Sequence, residues 1–143
     1  MGKTNWKRVF LGGLLAGVVL IVLGFAAWAI YLERLWSPAM EALGHPANMS
    51  AGGYAFSIIF SLVIGILAVW LYSAIRPRYG AGAKTAVIAG IAFWILSSLI
   101  AAISLGSMGL FKASLLVIDS LTSLVISVVA TLVGAWIYKE QTQ

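Results

Sequence analysis

Apolar residues fall into four long blocks separated by short polar interruptions: Val9 to Leu32, Tyr54 to Ile75, Thr85 to Ile103 and about Ala113 to Tyr138. Each block supplies the roughly 20 residues needed to cross ~30 Å of bilayer hydrocarbon. None alternates with the period of two expected of a barrel strand, and an open strand would leave its amides unpaired in lipid. The pattern therefore predicts an all-α membrane protein, a single four-transmembrane-helix bundle over residues 1–143, with spans of about 9–32, 54–75, 85–103 and 113–138. Residues 33–53 form the one sizeable extramembrane loop. Within it Ser37 is placed to cap a short helix, Pro38 suits the first helical position, and Gly44 with Pro46 would end that helix. Its Trp36, Met40 and Leu43 would then dip towards lipid headgroups.

Composition agrees with a lipid solvent: 62% of residues are hydrophobic, 9% are charged, and the mean hydropathy is +1.05. The net charge of +5 and pI of 9.8 would fit a nucleic-acid binder only if the basic residues formed a patch among polar ones, which they do not. They sit at the ends of the apolar blocks, Lys3, Lys7, Arg8, Arg76, Arg78, Lys84 and Lys139 on one side against Arg34 and Lys112 on the other. By the positive-inside rule both termini are cytoplasmic. Nucleic acid is not an expected partner; membrane lipids are. The polar stretch RPRYGAGAKTA, residues 76–86, looks like a phosphate loop at first glance. Ala83 stands before Lys84, Arg78 occupies the place of the first glycine, and a membrane helix precedes it instead of a strand, so it reads as a turn in which Pro77 stops one helix.

The first block, 24 residues long, exceeds the ~7–15 of a signal-peptide core and is expected to be retained. Trp6 stands where a myristoylation motif needs Ser or Thr, and the glycosylation triplet at Asn48 is expected to be unmodified.

Lipid gives membrane helices no hydrophobic reason to associate, so small residues at helical spacing mark packing faces. The first helix carries Gly13, Gly17 and Gly24; the second carries Gly53, Ser57, Ser61 and Gly65; the third Ala86 and Gly90; the fourth Ser120, Ser123, Ser127, Thr131 and Gly134. These stripes predict a compact bundle, with one left over for a homo-oligomer or another membrane partner. Ser61 to Ile64 repeats as Ser123 to Ile126, Ala68 to Tyr72 is echoed by Gly134 to Tyr138, and Leu15-Ala16-Gly17 by Ile88-Ala89-Gly90, the marks of two parallel helical-hairpin repeats. Interfacial aromatic belts are expected from Trp6, Trp70, Tyr72, Tyr79, Trp136 and Tyr138 at one face and from Trp28, Tyr31, Trp36 and Tyr54 at the other.

Little chemistry is available. Cysteine is absent and histidine occurs once, as His45, which excludes thiolate metal sites and leaves a lone histidine without co-ligands. No metal or cofactor is expected. Serines lack a nearby base or paired acid, so an enzyme is not expected either. Asp119 is the one acid inside a block, and ionising it in hydrocarbon costs several kcal/mol. Lying roughly 26 Å from Trp136 along the helix, it falls near the outer edge of the hydrocarbon. It can pair with Lys112 or Arg34, cap the helix, or serve as a proton or cation site. Trp94 lies near mid-membrane and needs a partner for its N–H. It is either a core tryptophan bonded to a serine or carbonyl, or the wall of a cavity assisted by Phe93, Ser97 and Ser98. Asp119, Trp94, Ser97, Ser98 and Ser123 are thus the ligand or ion-coupling candidates.

The stretches NWKRVFLGGLLAG (Asn5 to Gly17), ILAVWLYSAIRPRYGAGAKTAVIAGIAFW (Ile66 to Trp94), GLFKASLLVI and GAWIYKE resemble a group of small bacterial four-span membrane proteins of unknown function. The resemblance implies a bacterial inner membrane and four helices, and carries no catalytic residue. Two functions are expected: a non-enzymatic scaffold, accessory subunit or binder of lipid-like molecules, or a small dimeric proton- or cation-coupled transporter using Asp119. In size and span number the chain resembles small multidrug exporters, which differ in carrying their essential acid in the first span.

Overall fold

The computed structural model describes residues 4–45 and 49–139. Lys3, Pro46 and Asn48, which the sequence analysis used for charge, helix termination and glycosylation, fall outside them. Four helices are long and apolar enough to cross a membrane: α1 Trp6–Ala42, α2 Ala51–Tyr79, α3 Ala83–Ser107 and α4 Ala113–Ile137. Among the described residues there is no strand. α1 lies between α2 and α4, while α3 packs on α4 and more lightly on α2.

Two helix ends differ from the expectation, each for a local reason. The first helix does not end at Leu32; it passes through a π-helical turn, Trp28–Leu32, and continues as α-helix over Glu33–Ala42. Ser37 therefore caps nothing and Pro38 sits inside the helix. Pro38 removes only the amide that would serve the Arg34 carbonyl, a loss tolerable at an exposed end where water can replace it. The helix ends at Ala42, and Gly44 just beyond it, with φ of +74°, lets the His45 amide return to the Met40 carbonyl at 3.0 Å. Likewise Pro77 does not stop α2. That helix runs to Tyr79, and Gly80 at φ +86° turns the chain, its amide bonded to the Arg76 carbonyl at 2.8 Å.

Packing is uneven along the bundle axis. Its dense half carries the basic residues: Lys7 and Arg8 begin α1, Arg76 and Arg78 end α2, Lys84 begins α3 and Lys139 follows α4. We call this the basic end and the opposite one the distal end. The buried core comprises Val9, Ala16, Val69, Ala86, Ala89, Ala130 and Ala135, with Tyr72 and Tyr138, nearly all in the basic half. Helices approach closely there because the contacts are glycines. A Cβ added at Gly65 would collide with the Gly13 carbonyl and the Gly17 backbone, and one at Gly17 would come within 2.7 Å of Leu62 Cα. At Gly90 it would meet Val128 Cα at 2.9 Å, and at Gly134 the Gly12 carbonyl at 2.7 Å. Gly13 likewise abuts Ile66, and Ser127 is buried against Gly90.

Gly12, absent from the expected stripe, explains how α1 serves two neighbours. Adjacent residues on a helix point ~100° apart, so Gly13 faces α2 while Gly12 faces Gly134 of α4. Gly12, Gly13, Gly17, Gly65, Gly90 and Gly134 are thus taken up in contacts between helices of the chain.

Tyr72 and Tyr138 are corrections to the aromatic belt. They are 3% and 4% exposed and meet edge to face with ring centroids 5.9 Å apart, the Arg76 guanidinium lying 5.4 Å from the Tyr138 ring centre. The Tyr72 hydroxyl accepts from the amide of Gly82, which precedes α3, at 3.3 Å; the Tyr138 hydroxyl accepts from the amide of Asn5, which caps α1, at 3.4 Å. Each hairpin's second helix therefore holds the start of the other hairpin's first helix, a reciprocity matching the Ala68–Tyr72 and Gly134–Tyr138 echo. Trp136, by contrast, is 83% exposed and suits an interfacial position.

Candidate functional site

In the distal half the two hairpins open. Between α1 and α2 lies a groove of about 600 Å³, within the roughly 300–1,000 Å³ of small-molecule sites. Its deep end is formed by Leu20, Ile21, Gly24 and Ser61, its middle by Phe25, Trp28, Tyr54 and Ser57, and its rim by Glu33, Trp36, Met40 and Met49. From Leu20 to Glu33 the helical rise gives it a length of ~20 Å. A second, smaller groove of about 340 Å³ lies between α3 and α4, walled by Trp94, Ile103, Phe111, Leu116 and Ser120 among others.

Three of the expected packing residues line the first groove. Gly24 does not pack against a helix, for a Cβ added there meets no atom within 4 Å. Its missing side chain leaves the space open. Ser57 and Ser61 belong to the same wall; Ser61 donates to the Ser57 carbonyl at 2.7 Å and Ser57 to the Met49 sulfur at 3.6 Å, so neither hydroxyl bridges helices. The strict spacing of four from Gly53 to Gly65 hid a change of role halfway along. Gly65 packs against α1, while Ser61 and Ser57 face the groove.

Each groove has a tryptophan beside a π-helical turn. Trp28 opens the turn in α1, and Trp94 immediately precedes the one at Ile95–Leu99 in α3. A π turn inserts a residue and shifts the helical register, which redirects the side chains beyond it. Trp94 also donates its N–H to the Ser120 carbonyl at 2.8 Å, tying α3 to α4. Phe93, Ser97 and Ser98 do not line this groove. Ser97 donates to its own helix at the Phe93 carbonyl, 2.8 Å away, and Ser98 follows it in the π turn. Ser120 Oγ, buried, has no hydrogen-bond partner among the described residues.

Asp119 lies six residues inside α4 and so caps no helix end. No ion pair joins it to Lys112 or Arg34 among the described residues. It accepts from the Trp36 indole N–H at 3.3 Å, and Trp36 in turn meets Phe111 edge to face with centroids 5.1 Å apart. One turn earlier on α1, the Tyr31 and Thr122 hydroxyls are 2.6 Å apart. These contacts latch the extension of α1 onto α4. Asp119 lines neither groove, and Ser123 bonds only the Asp119 backbone carbonyl, at 2.9 Å. Of the five ligand or ion-coupling candidates, Trp94 alone lines a groove.

Glu33, Trp28 and Tyr54 were missed as a group. The loop assignment placed Glu33 in the extramembrane segment 33–53, and the tryptophan and tyrosine looked like belt residues. The available signal was Gly24, seven residues beyond Gly17 and therefore nearly on its face, but too far towards the distal end to meet α2 where the helices diverge.

The grouping of His, Asp and Glu shows no set of three or more able to hold a metal among the described residues, and His45 is exposed. The arrangement offers apolar space with one carboxylate at its rim. No family model, curated protein or solved structure matches this chain.

Proposed function

We propose that this is a non-enzymatic integral membrane protein that holds an apolar, lipid-like molecule in the groove between α1 and α2. The observation that carries the reading is the contrast within one bundle: glycine-mediated backbone contact in the basic half, and an unfilled trough lined by Gly24 in the distal half. A groove made by two helices opens on the bundle's flank, where an alkyl chain enters from the bilayer without crossing a polar layer. Dispersion contacts with the aromatic wall then favour it over bulk lipid.

The test is direct. Protein extracted in mild detergent is examined by native mass spectrometry, beside a Gly24→Phe variant. The parent is expected to retain a lipid-like adduct and the variant to lose it by about tenfold, equivalent to ~1.4 kcal/mol. The variant's thermal stability should be unchanged, because its ring enters empty space. Equal adducts in both would defeat the reading.

The setting we propose is the bacterial inner membrane with both termini in the cytoplasm. Gathering of Lys7, Arg8, Arg76, Arg78, Lys84 and Lys139 at one end supports this orientation. A phosphatase reporter fused to the C-terminus is expected to be silent, and a fluorescent reporter bright; the reverse result overturns the orientation.

A further inference from the structure

We propose that the molecule held in the α1–α2 groove is an amphiphile with a positively charged ammonium head, seated at Glu33 with its chain running inward towards Leu20 and Ser61. This inference rests on the groove being a ligand site and adds the chemistry of the head. The polarity of the groove is graded along its length. Leu20, Ile21 and Gly24 make the inner end apolar, while Glu33, about 20 Å further along α1, places a carboxylate at the rim. Among the lining residues Glu33 is the one acid, and no Lys, Arg or His accompanies it. An anionic head would meet an uncompensated like charge there; an ammonium meets its counter-charge.

The aromatic residues favour the same head group. Phe25 and Tyr54 stack with ring centroids 6.0 Å apart, Trp28 lies one π-helical turn before Glu33, whose amide bonds its carbonyl, and Trp36 follows Glu33 by three residues. Aromatic faces attract cations, and rings gathered around a cation are a recurring means of recognising ammonium groups. Trp36 also lends its N–H to Asp119, so a second carboxylate stands behind the indole at 3.3 Å from its nitrogen. Carboxylate, aromatic wall and apolar trough together describe a receptor for a cation on an alkyl chain.

The protein in a neutral maltoside micelle is titrated with an alkylamine, an alkyl alcohol and an alkyl carboxylate of equal chain length, each brominated along the chain so that a bound molecule quenches tryptophan emission. The groove-specific signal is the difference between the parent and Gly24→Phe. The amine is expected to bind about tenfold more tightly than the alcohol, and the carboxylate more weakly than either. In Glu33→Gln the amine should fall to the level of the alcohol, while alcohol binding stays as it was, which separates loss of the head-group contact from misfolding. Glu33→Asp should retain a preference for the amine. If amine and carboxylate bind alike in the parent, or if Glu33→Gln leaves the amine preference intact, the ammonium assignment is wrong although the groove still binds chains. If parent and Gly24→Phe are quenched equally by all three probes, the groove itself is not a ligand site.

Discussion

Replacing Gly65 by leucine is expected to cost more than about 3 kcal/mol and to separate α1 from α2, the largest effect of any single substitution in the chain. The reason is what the new side chain would meet. Its Cβ would run into the Gly13 carbonyl and the Gly17 amide and Cα, which are backbone atoms of a rigid helix and cannot rotate away as a side chain end can. Leucine is a better helix former than glycine by up to ~1 kcal/mol, but that gain is small beside the separation of two packed helices. Gly24→Ala provides the control on the same pair of helices. It adds a methyl group to empty space and should change stability by no more than ~0.5 kcal/mol. Unfolding in mixed micelles with increasing SDS, followed by circular dichroism and tryptophan emission, measures both. Near-equal midpoints for Gly65→Leu and Gly24→Ala would mean that the close approach of α1 and α2 is not the bundle's main contact.

The second large effect is expected at Trp36. Trp36→Ala removes a half-buried ring, its edge-to-face contact with Phe111 and its hydrogen bond to Asp119, for a loss of about 2 kcal/mol. Trp36→Phe keeps the ring and loses only the bond, for ~1 kcal/mol or less. Asp119→Asn retains an oxygen that accepts the indole N–H and should lie near the parent, whereas Asp119→Leu should resemble Trp36→Phe. Because both ends of one bond are altered, the double variant Trp36→Phe/Asp119→Leu should cost less than the sum of its parts. A coupling-ion role for Asp119 predicts another pattern: Asp119→Asn would abolish cation-driven dye efflux from vesicles while leaving the fold intact, and Trp36→Phe would not. The latch predicts no such division.

The four helices were legible because the rule that creates them is local and strong. Backbone amides cannot go unpaired in hydrocarbon, so apolar length translates directly into helix. The ends were less legible where a residue that usually breaks a helix falls where breaking is unnecessary. Pro38 and Pro77 each lie near a water-exposed end and cost one hydrogen bond, and Gly44 and Gly80 terminate the helices because only they take up positive φ there. Spacing also identified most of the packing glycines. It could not separate Gly17, pressed against Leu62, from Gly24, facing nothing, because periodicity along one helix carries no information about how far away its neighbour is. The groove was invisible for that reason. Its depth depends on divergence between α1 and α2, and its rim acid belongs to a helical extension that composition assigned to a loop. Asp119 stood out as the one acid within an apolar block, yet its partner lies 83 residues away on that same extension.

The hydroxyl of Tyr138 reaches the amide of Asn5 across 133 residues of chain, which has a temporal side. A nascent polypeptide emerges from its N-terminus, so α1 and α2 can insert and mate through Gly13, Gly17 and Gly65 long before this tyrosine has been synthesised. Until then the Asn5 amide lacks its tyrosine partner and the leading end of α1 is untied. The clasp comes with Tyr138, one residue beyond α4, and a chain truncated before it is expected to have a loose start to α1.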